Sequence, residues 1–137
     1  MPVVVTRLVR YGLYSDVDVV AARRAVNDWA KEIRLSLLDR TKVVTAASEL
    51  ARNTVIYGRG GTMALEIVRD GIREGLRLTF DDHGPGIEDI DRALTDGYST
   101  GGGMGLGLPG AKRLVNDFAL TSTLGVGTSV TVVRWRP

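Results

Sequence analysis

The 137-residue chain is 44% apolar, enough for one compact domain with a single core spanning residues 1–137 and too little for a second. Eighteen Lys and Arg against 16 Asp and Glu leave a formal charge of +2, which builds no field that argues for a nucleic-acid or membrane partner. The absence of cysteine removes disulfides and thiolate metal sites, and a single histidine, His83, excludes a site built on two imidazoles.

At the start of the chain, Met1 to Arg10 has no basic segment followed by a long apolar run. No later stretch approaches the roughly 20 apolar residues of a membrane span, so the chain reads as soluble, unexported and cytoplasmic. Val3 to Val9 is rich in β-branched residues and predicts a strand. Ser15, with Asp18 three residues on, stands as an N-cap before Val19, Ala22, Val26, Trp29, Ala30, Ile33 and Leu37, which recur at helical spacing and predict one long amphipathic helix. A second helix is expected from Asp39 or Thr41 to about Tyr57, stopped by Gly58, Gly60 and Gly61.

Thr62 to Arg69 and Leu76 to Asp82 read as two strands joined through Gly71 and Gly75. A short helix is expected between Glu88 and Leu94. Another carries Leu108, Ala111, Leu114, Val115 and Phe118, with Pro109 tolerated in its first turn. Ala119 to Leu124 and Thr128 to Trp135 form a closing hairpin around Gly125-Val126-Gly127. Helices and strands that come in clumps, with hairpins linking the later strands, predict an α+β two-layer sandwich: a mostly antiparallel, mixed sheet covered on one face by helices.

Three clusters carry residues suited to chemistry. In the second helix, Glu49 and Asn53 lie one turn apart at the edge of the apolar arc. Such a pair is either an ordinary solvated boundary or a carboxylate able to orient a hydroxyl, next to an amide oxygen able to ligate Mg²⁺. In the second, the alternation of Leu76, Leu78 and Phe80 aims Asp82 inward, followed by His83-Gly84-Pro85-Gly86. An inward carboxylate needs donors, supplied either by its own turn or by the exocyclic amine of a purine, and Gly84 and Gly86 let the backbone come close to such a ligand. His83 alternates away from Asp82 and reads as a turn residue.

The third cluster, Gly101-Gly102-Gly103-Met104-Gly105-Leu106-Gly107, runs straight into a helix. Unobstructed backbone amides and a helix start suit an anion such as a phosphate chain; the alternative is a loop without a ligand. It is neither a Walker loop, since no Gly-Lys-Ser/Thr ends it, nor a Rossmann fingerprint. Lys112 and Arg113, one turn on, either add charge near a phosphate or form a solvated face. Tyr98, Trp29 and Trp135 are aromatic candidates for contact surfaces or core.

In this order and within one short chain, the clusters resemble the nucleotide-binding boxes of the GHKL (Bergerat-fold) superfamily of ATPases and kinases. Glu49 and Asn53 resemble its N-box, Asp82-His83-Gly84-Pro85-Gly86 its first glycine box, Gly103-Met104-Gly105-Leu106-Gly107 its second, and Gly127-Thr128 the later Gly-Thr beside the adenine site. Residues Val44 to Asn53 and Asp96 to Gly110 are most similar to the RsbT-type switch kinases of the bacterial stressosome, relatives of the anti-sigma-factor kinases.

The resemblance implies a kinase that uses ATP and Mg²⁺ to phosphorylate a serine or threonine on a STAS-domain protein and then activates a PP2C-type phosphatase. Carried onto this sequence, Asn53 holds the metal, Glu49 is the base or water-orienter, and Asp82 accepts from the adenine amine. Gly84 and Gly86 approach the nucleotide, Gly103, Gly105 and Gly107 line the phosphates, and Thr128 supports the adenine. The lid, Ile87 to Gly102, is short, and the long lids and extra domains of the gyrase and Hsp90 branches, like the phosphoacceptor-histidine helix of the sensor kinases, are missing from the sequence. The second reading implied is an anti-sigma-type module that sequesters a partner, with the nucleotide as a conformational ligand.

Overall fold

The structure, a computed structural model, describes residues 2–95 and 107–137. Strand β1 (Val4–Leu13) leads into helix α1 (Asp16–Glu32), whose N-cap Ser15 accepts from the Asp18 N–H and whose first turn carries Asp16 and Asp18 against the positive helix end. α1 stops at Glu32 rather than running on to Leu37. Arg34 takes a left-handed φ of 63°, and Ser36 caps a new helix by accepting from the Asp39 N–H at 3.1 Å. Leu37 is therefore the first residue of α2 (Leu37–Ile56), not the last of α1.

Two long strands follow, β2 (Gly61–Asp70) and β3 (Arg73–Asp82), then the single-turn helix α3 (Ile90–Ala93). After the undescribed stretch come α4 (Leu108–Arg113), β4 (Asp117–Thr123) and β5 (Gly127–Trp135). The helix expected to reach Phe118 ends at Arg113. Its would-be last turns are claimed by the sheet: the Asn116 N–H donates to Val133 O, the Asn116 side chain accepts from the Trp135 N–H at 2.7 Å, and Phe118 pairs with Val132 in β4.

The described strands lie in the order β1-β2-β3-β5-β4 and every pairing among them is antiparallel, so the sheet they form is not mixed. The register aligns Met63, Leu65 and Ile67 with Phe80, Leu78 and Leu76, and these in turn with Val130 and Val132, which places one apolar face in a single layer. α1 and α2 cover that face with Val19, Ala22, Val26, Val43, Ala46 and Leu50, all in the same buried cluster. Helices on one face of an antiparallel sheet make the two-layer α+β arrangement that the clumped elements predicted.

The two aromatic candidates among the described residues, Trp29 and Trp135, are packed rather than displayed. Each is more than 90% buried, with the Arg7 and Arg73 guanidinium groups 4.1 and 4.3 Å from their ring centroids. Tyr98 lies outside the described residues.

A buried ion pair fastens the far end of the molecule. Arg134, on the helix side of β5, donates to the carboxylate of Asp39 in the first turn of α2 and to Leu114 O at the end of α4. The guanidinium holds Asp39 below the ordinary carboxylate range, against the opposing effect of burial. A carboxylate with a depressed folded-state value adds stability above its unfolded value and loses it as pH falls through the folded one. Asp39→Ala is expected to cost about 2 kcal/mol at pH 7, roughly 6–10 °C in Tm. The deficit shrinks in thermal melts run below about pH 4.

Candidate nucleotide site

Asp82 ends β3 with its side chain turned to the helix layer, and its position is fixed by backbone donors. Oδ1 accepts from the Gly84 N–H at 2.9 Å and from the Thr128 N–H at 3.1 Å, so one oxygen is doubly engaged. No hydrogen bond from a described residue reaches Oδ2, which lies beside Gly58 at the end of α2. The two readings of Asp82 are thus compatible: Oδ1 caps its own turn, and Oδ2 has the geometry of an acceptor for a ligand amine.

Gly58 is a residue whose role the sequence pattern did not disclose beyond a helix stop. A Cβ there would sit 2.5 Å from the Cβ, Cγ and Oδ2 of Asp82, and a Cβ on Gly84 would sit 2.8 Å from the Gly58 Cα. α2 and the turn after β3 therefore touch backbone to backbone. Gly58→Val is expected to weaken ATP binding about 5- to 150-fold, because the added atoms displace Asp82 or force the elements apart at about 1–3 kcal/mol. Isothermal titration with a parallel thermal melt separates loss of the site from loss of the fold.

Between α2, β3 and β5 lies a slot walled by Leu50, Phe80, Ile87, Leu108 and Val130, with Asn53, Asp82 and Thr128 as polar groups at its edges and Pro85 and Gly86 at its rim. An apolar slot with one acceptor-only carboxylate at its end suits a flat heterocycle bearing an amine, as adenine does. Ser122, which sequence reasoning also missed, stitches the slot together. Its hydroxyl accepts from the Ile87 N–H at 2.7 Å, donates to Gly127 O at 3.2 Å and lies 2.9 Å from the Thr128 hydroxyl. The segment after Asp82 is held to the β4–β5 hairpin a second time by the Gly125 N–H on Pro85 O.

Glu49 and Asn53 sit one turn apart on α2, but only Asn53 borders the slot. Glu49 points along the helix toward the start of α4. Gly107, at φ 79° and without a side chain, caps α4 there, and a Cβ on it would fall 2.6 Å from Glu49 Oε2. Leu108, the next residue, lines the slot, so the carboxylate and the apolar walls meet at the first turn of α4. Gly103 and Gly105, like the other glycines of that run before Gly107, lie outside the described residues.

Among the described residues no group of three His, Cys, Asp or Glu stands ready for a metal ion. Asn53 carries an amide oxygen beside the slot. One protein oxygen suits Mg²⁺, which keeps several waters and takes the rest of its shell from phosphates. His83 is exposed, in keeping with a turn residue, and Lys112 and Arg113 are exposed in the last turn of α4.

Residues 38–136 match the family of histidine kinase-, DNA gyrase B- and HSP90-like ATPases, and the chain belongs to that family. It is 44% identical over 118 residues to the serine/threonine-protein kinase RsbT of Bacillus subtilis (strain 168), covering 86% of this chain and 89% of that protein. It is also 26% identical over 119 residues to an anti-sigma F factor of Thermoanaerobacter sp. (strain X514), covering 83% and 82% of the two. Among solved structures, the RsbU and RsbW domains of Rv1364c from Mycobacterium tuberculosis align over 96% of this chain with a TM-score of 0.66 at 22% identity, the chain spanning about a third (34%) of that one. The SiaB-SiaC complex from Pseudomonas aeruginosa aligns over 94% of this chain and 89% of the other, at a TM-score of 0.60 and 14% identity. At those identities the structural matches establish the shared fold. Among the described residues, no helix is long and apolar enough to cross a membrane.

Proposed function

We propose that this chain is an ATP-dependent serine/threonine protein kinase that phosphorylates a STAS-domain regulatory protein in a bacterial stress-response partner switch. The carrying observation is the placement of Asp82: two backbone donors hold one oxygen, and the other is left at the end of an apolar slot that also borders Asn53. The similarity to a serine/threonine kinase over most of both chains supports the reaction class.

In this reading Asp82 accepts from the adenine amine, Gly84 and Gly86 keep the backbone close to the nucleotide, and Thr128 supports the base. Asn53 holds Mg²⁺, and Gly103, Gly105 and Gly107 line the phosphates. Magnesium bound with the nucleotide neutralises charge on the phosphate oxygens, the main electrostatic demand of phosphoryl transfer. Glu49, beside Gly107, aligns the incoming hydroxyl and takes its proton as the new P–O bond forms and the bond from the γ-phosphorus to the leaving oxygen of ADP breaks. Residues 1–137 act as one domain, in the cytoplasm, and release of the phosphorylated partner frees the kinase to activate a PP2C-type phosphatase.

The test is incubation with γ-labelled ATP, Mg²⁺ and a STAS-domain protein. Label on a serine or threonine of the partner is the expected result. The 26% identity to an anti-sigma F factor favours a second reading, a module that sequesters its partner in a nucleotide-dependent way. A tight complex without transfer of label would establish that reading and reject the first.

A further inference from the structure

Glu49 has a charged neighbour that the site described so far leaves unused. Arg52, one turn on along α2, places Nη1 3.6 Å from Glu49 Oε1, while Oε2 of the same carboxylate is the atom against Gly107. The two oxygens are thereby distinguished: one faces a guanidinium, the other the first turn of α4.

We infer that Arg52 is a positioning residue for Glu49, holding Oε1 so that Oε2 stays turned toward the start of α4, where the acceptor hydroxyl has to meet the phosphate chain. This rests on the kinase reading of the site. Both partners stand on one helix at i and i+3, so the helix sets their spacing and no loop has to close to bring them together. The side chains are 51% and 40% exposed. A pair this open contributes little to folding, so its removal leaves the protein intact and a loss of turnover reports on function. A guanidinium offers only donors and no acceptor, so it does not itself take the acceptor's proton, which keeps the base role on Glu49. Without Arg52 the carboxylate is free to rotate about its side-chain bonds, and misplacement of a reacting group by about 1 Å is enough to cost about 100-fold.

The experiment measures phosphoryl transfer and ATP affinity in wild type, Arg52→Ala, Arg52→Lys, Glu49→Gln and the Arg52→Ala/Glu49→Gln double variant, with Tm recorded for each. Arg52→Ala is expected to lower kcat about 10- to 100-fold with KM for ATP within about twofold, and Arg52→Lys to recover a substantial part. In the Glu49→Gln background, Arg52→Ala should change kcat by less than about twofold, since a residue acting through Glu49 has nothing left to position. Unchanged kcat in Arg52→Ala, or an equal loss in both backgrounds, overturns the inference. A wild-type chain that transfers no label rejects the kinase reading instead. Arg52 is then judged by the ¹³C resonance of the Glu49 carboxyl, which moves in Arg52→Ala and returns in Arg52→Lys if the pair holds, and stays put if it does not.

Discussion

Replacing Glu49 by alanine is expected to cut phosphoryl transfer by about 10²–10⁴-fold while leaving ATP affinity within about twofold, the signature of a group used in the chemical step rather than in binding. The geometry gives the reason. Glu49 does not line the slot that suits the base; it lies beyond it, with Oε2 against Gly107. Loss of the carboxylate therefore leaves the apolar walls and Asp82 untouched. Rapid-quench measurement of label transfer, with ATP affinity from calorimetry, checks both halves. Equal turnover would remove Glu49 from the mechanism, and a parallel loss of affinity would move it into the binding site.

Asp82→Asn should separate adenine from guanine. Asparagine keeps a carbonyl oxygen for the Gly84 and Thr128 N–H groups, so the turn survives, but it puts an NH₂ in the place of Oδ2, the oxygen proposed to meet the adenine amine. A donor then meets the adenine amine, and ATP affinity is expected to fall about 100-fold. Guanine presents a carbonyl at the same position, which a carboxylate repels and to which an amide NH₂ donates, so GTP should change by less than about threefold or gain. Asp82→Ala behaves differently: it strands two backbone donors and costs about 1–3 kcal/mol of stability as well as the nucleotide. Equal ATP affinity in wild type and Asp82→Asn would reject the adenine contact.

Where the sequence was legible, one residue's neighbours along the chain decided its place. Period-two alternation in β3 put Asp82 on the apolar side, and Ser15 announced α1. Other features were hidden because two structures share one pattern. Ile33 and Leu35 are both buried through the break between α1 and α2, so the apolar spacing continues across a turn that Ser36 and the left-handed Arg34 create. Leu114, Val115 and Phe118 fit a helix stripe, but the hydrogen bonds of Asn116 to β5 claim the segment for the sheet.

Within the site, Glu49, Asn53, Asp82 and Thr128 were marked by motif; α2, β3 and β5 bring Asn53, Asp82 and Thr128 to one slot, while Glu49 lies beyond it beside Gly107. Gly58 was visible only as a stop signal. Its φ is not positive, and what requires glycine there is the Asp82 side chain, a contact between elements that no local pattern encodes. Ser122 and the Asp39–Arg134 pair were illegible for the same reason, the latter spanning 95 positions. Long-range polar contacts are set by packing, and packing is decided after the elements form.

The proposed kinase activity requires that α2, the Asp82 turn and the β4–β5 hairpin enclose one adenine nucleotide. Calorimetric titration of the chain with ATP in the presence of Mg²⁺ tests this most directly. One saturable site per chain, weakened in both Gly58→Val and Asp82→Asn, is the predicted result. No heat of binding at millimolar ATP, or binding that Gly58→Val and Asp82→Asn leave unchanged, would contradict it.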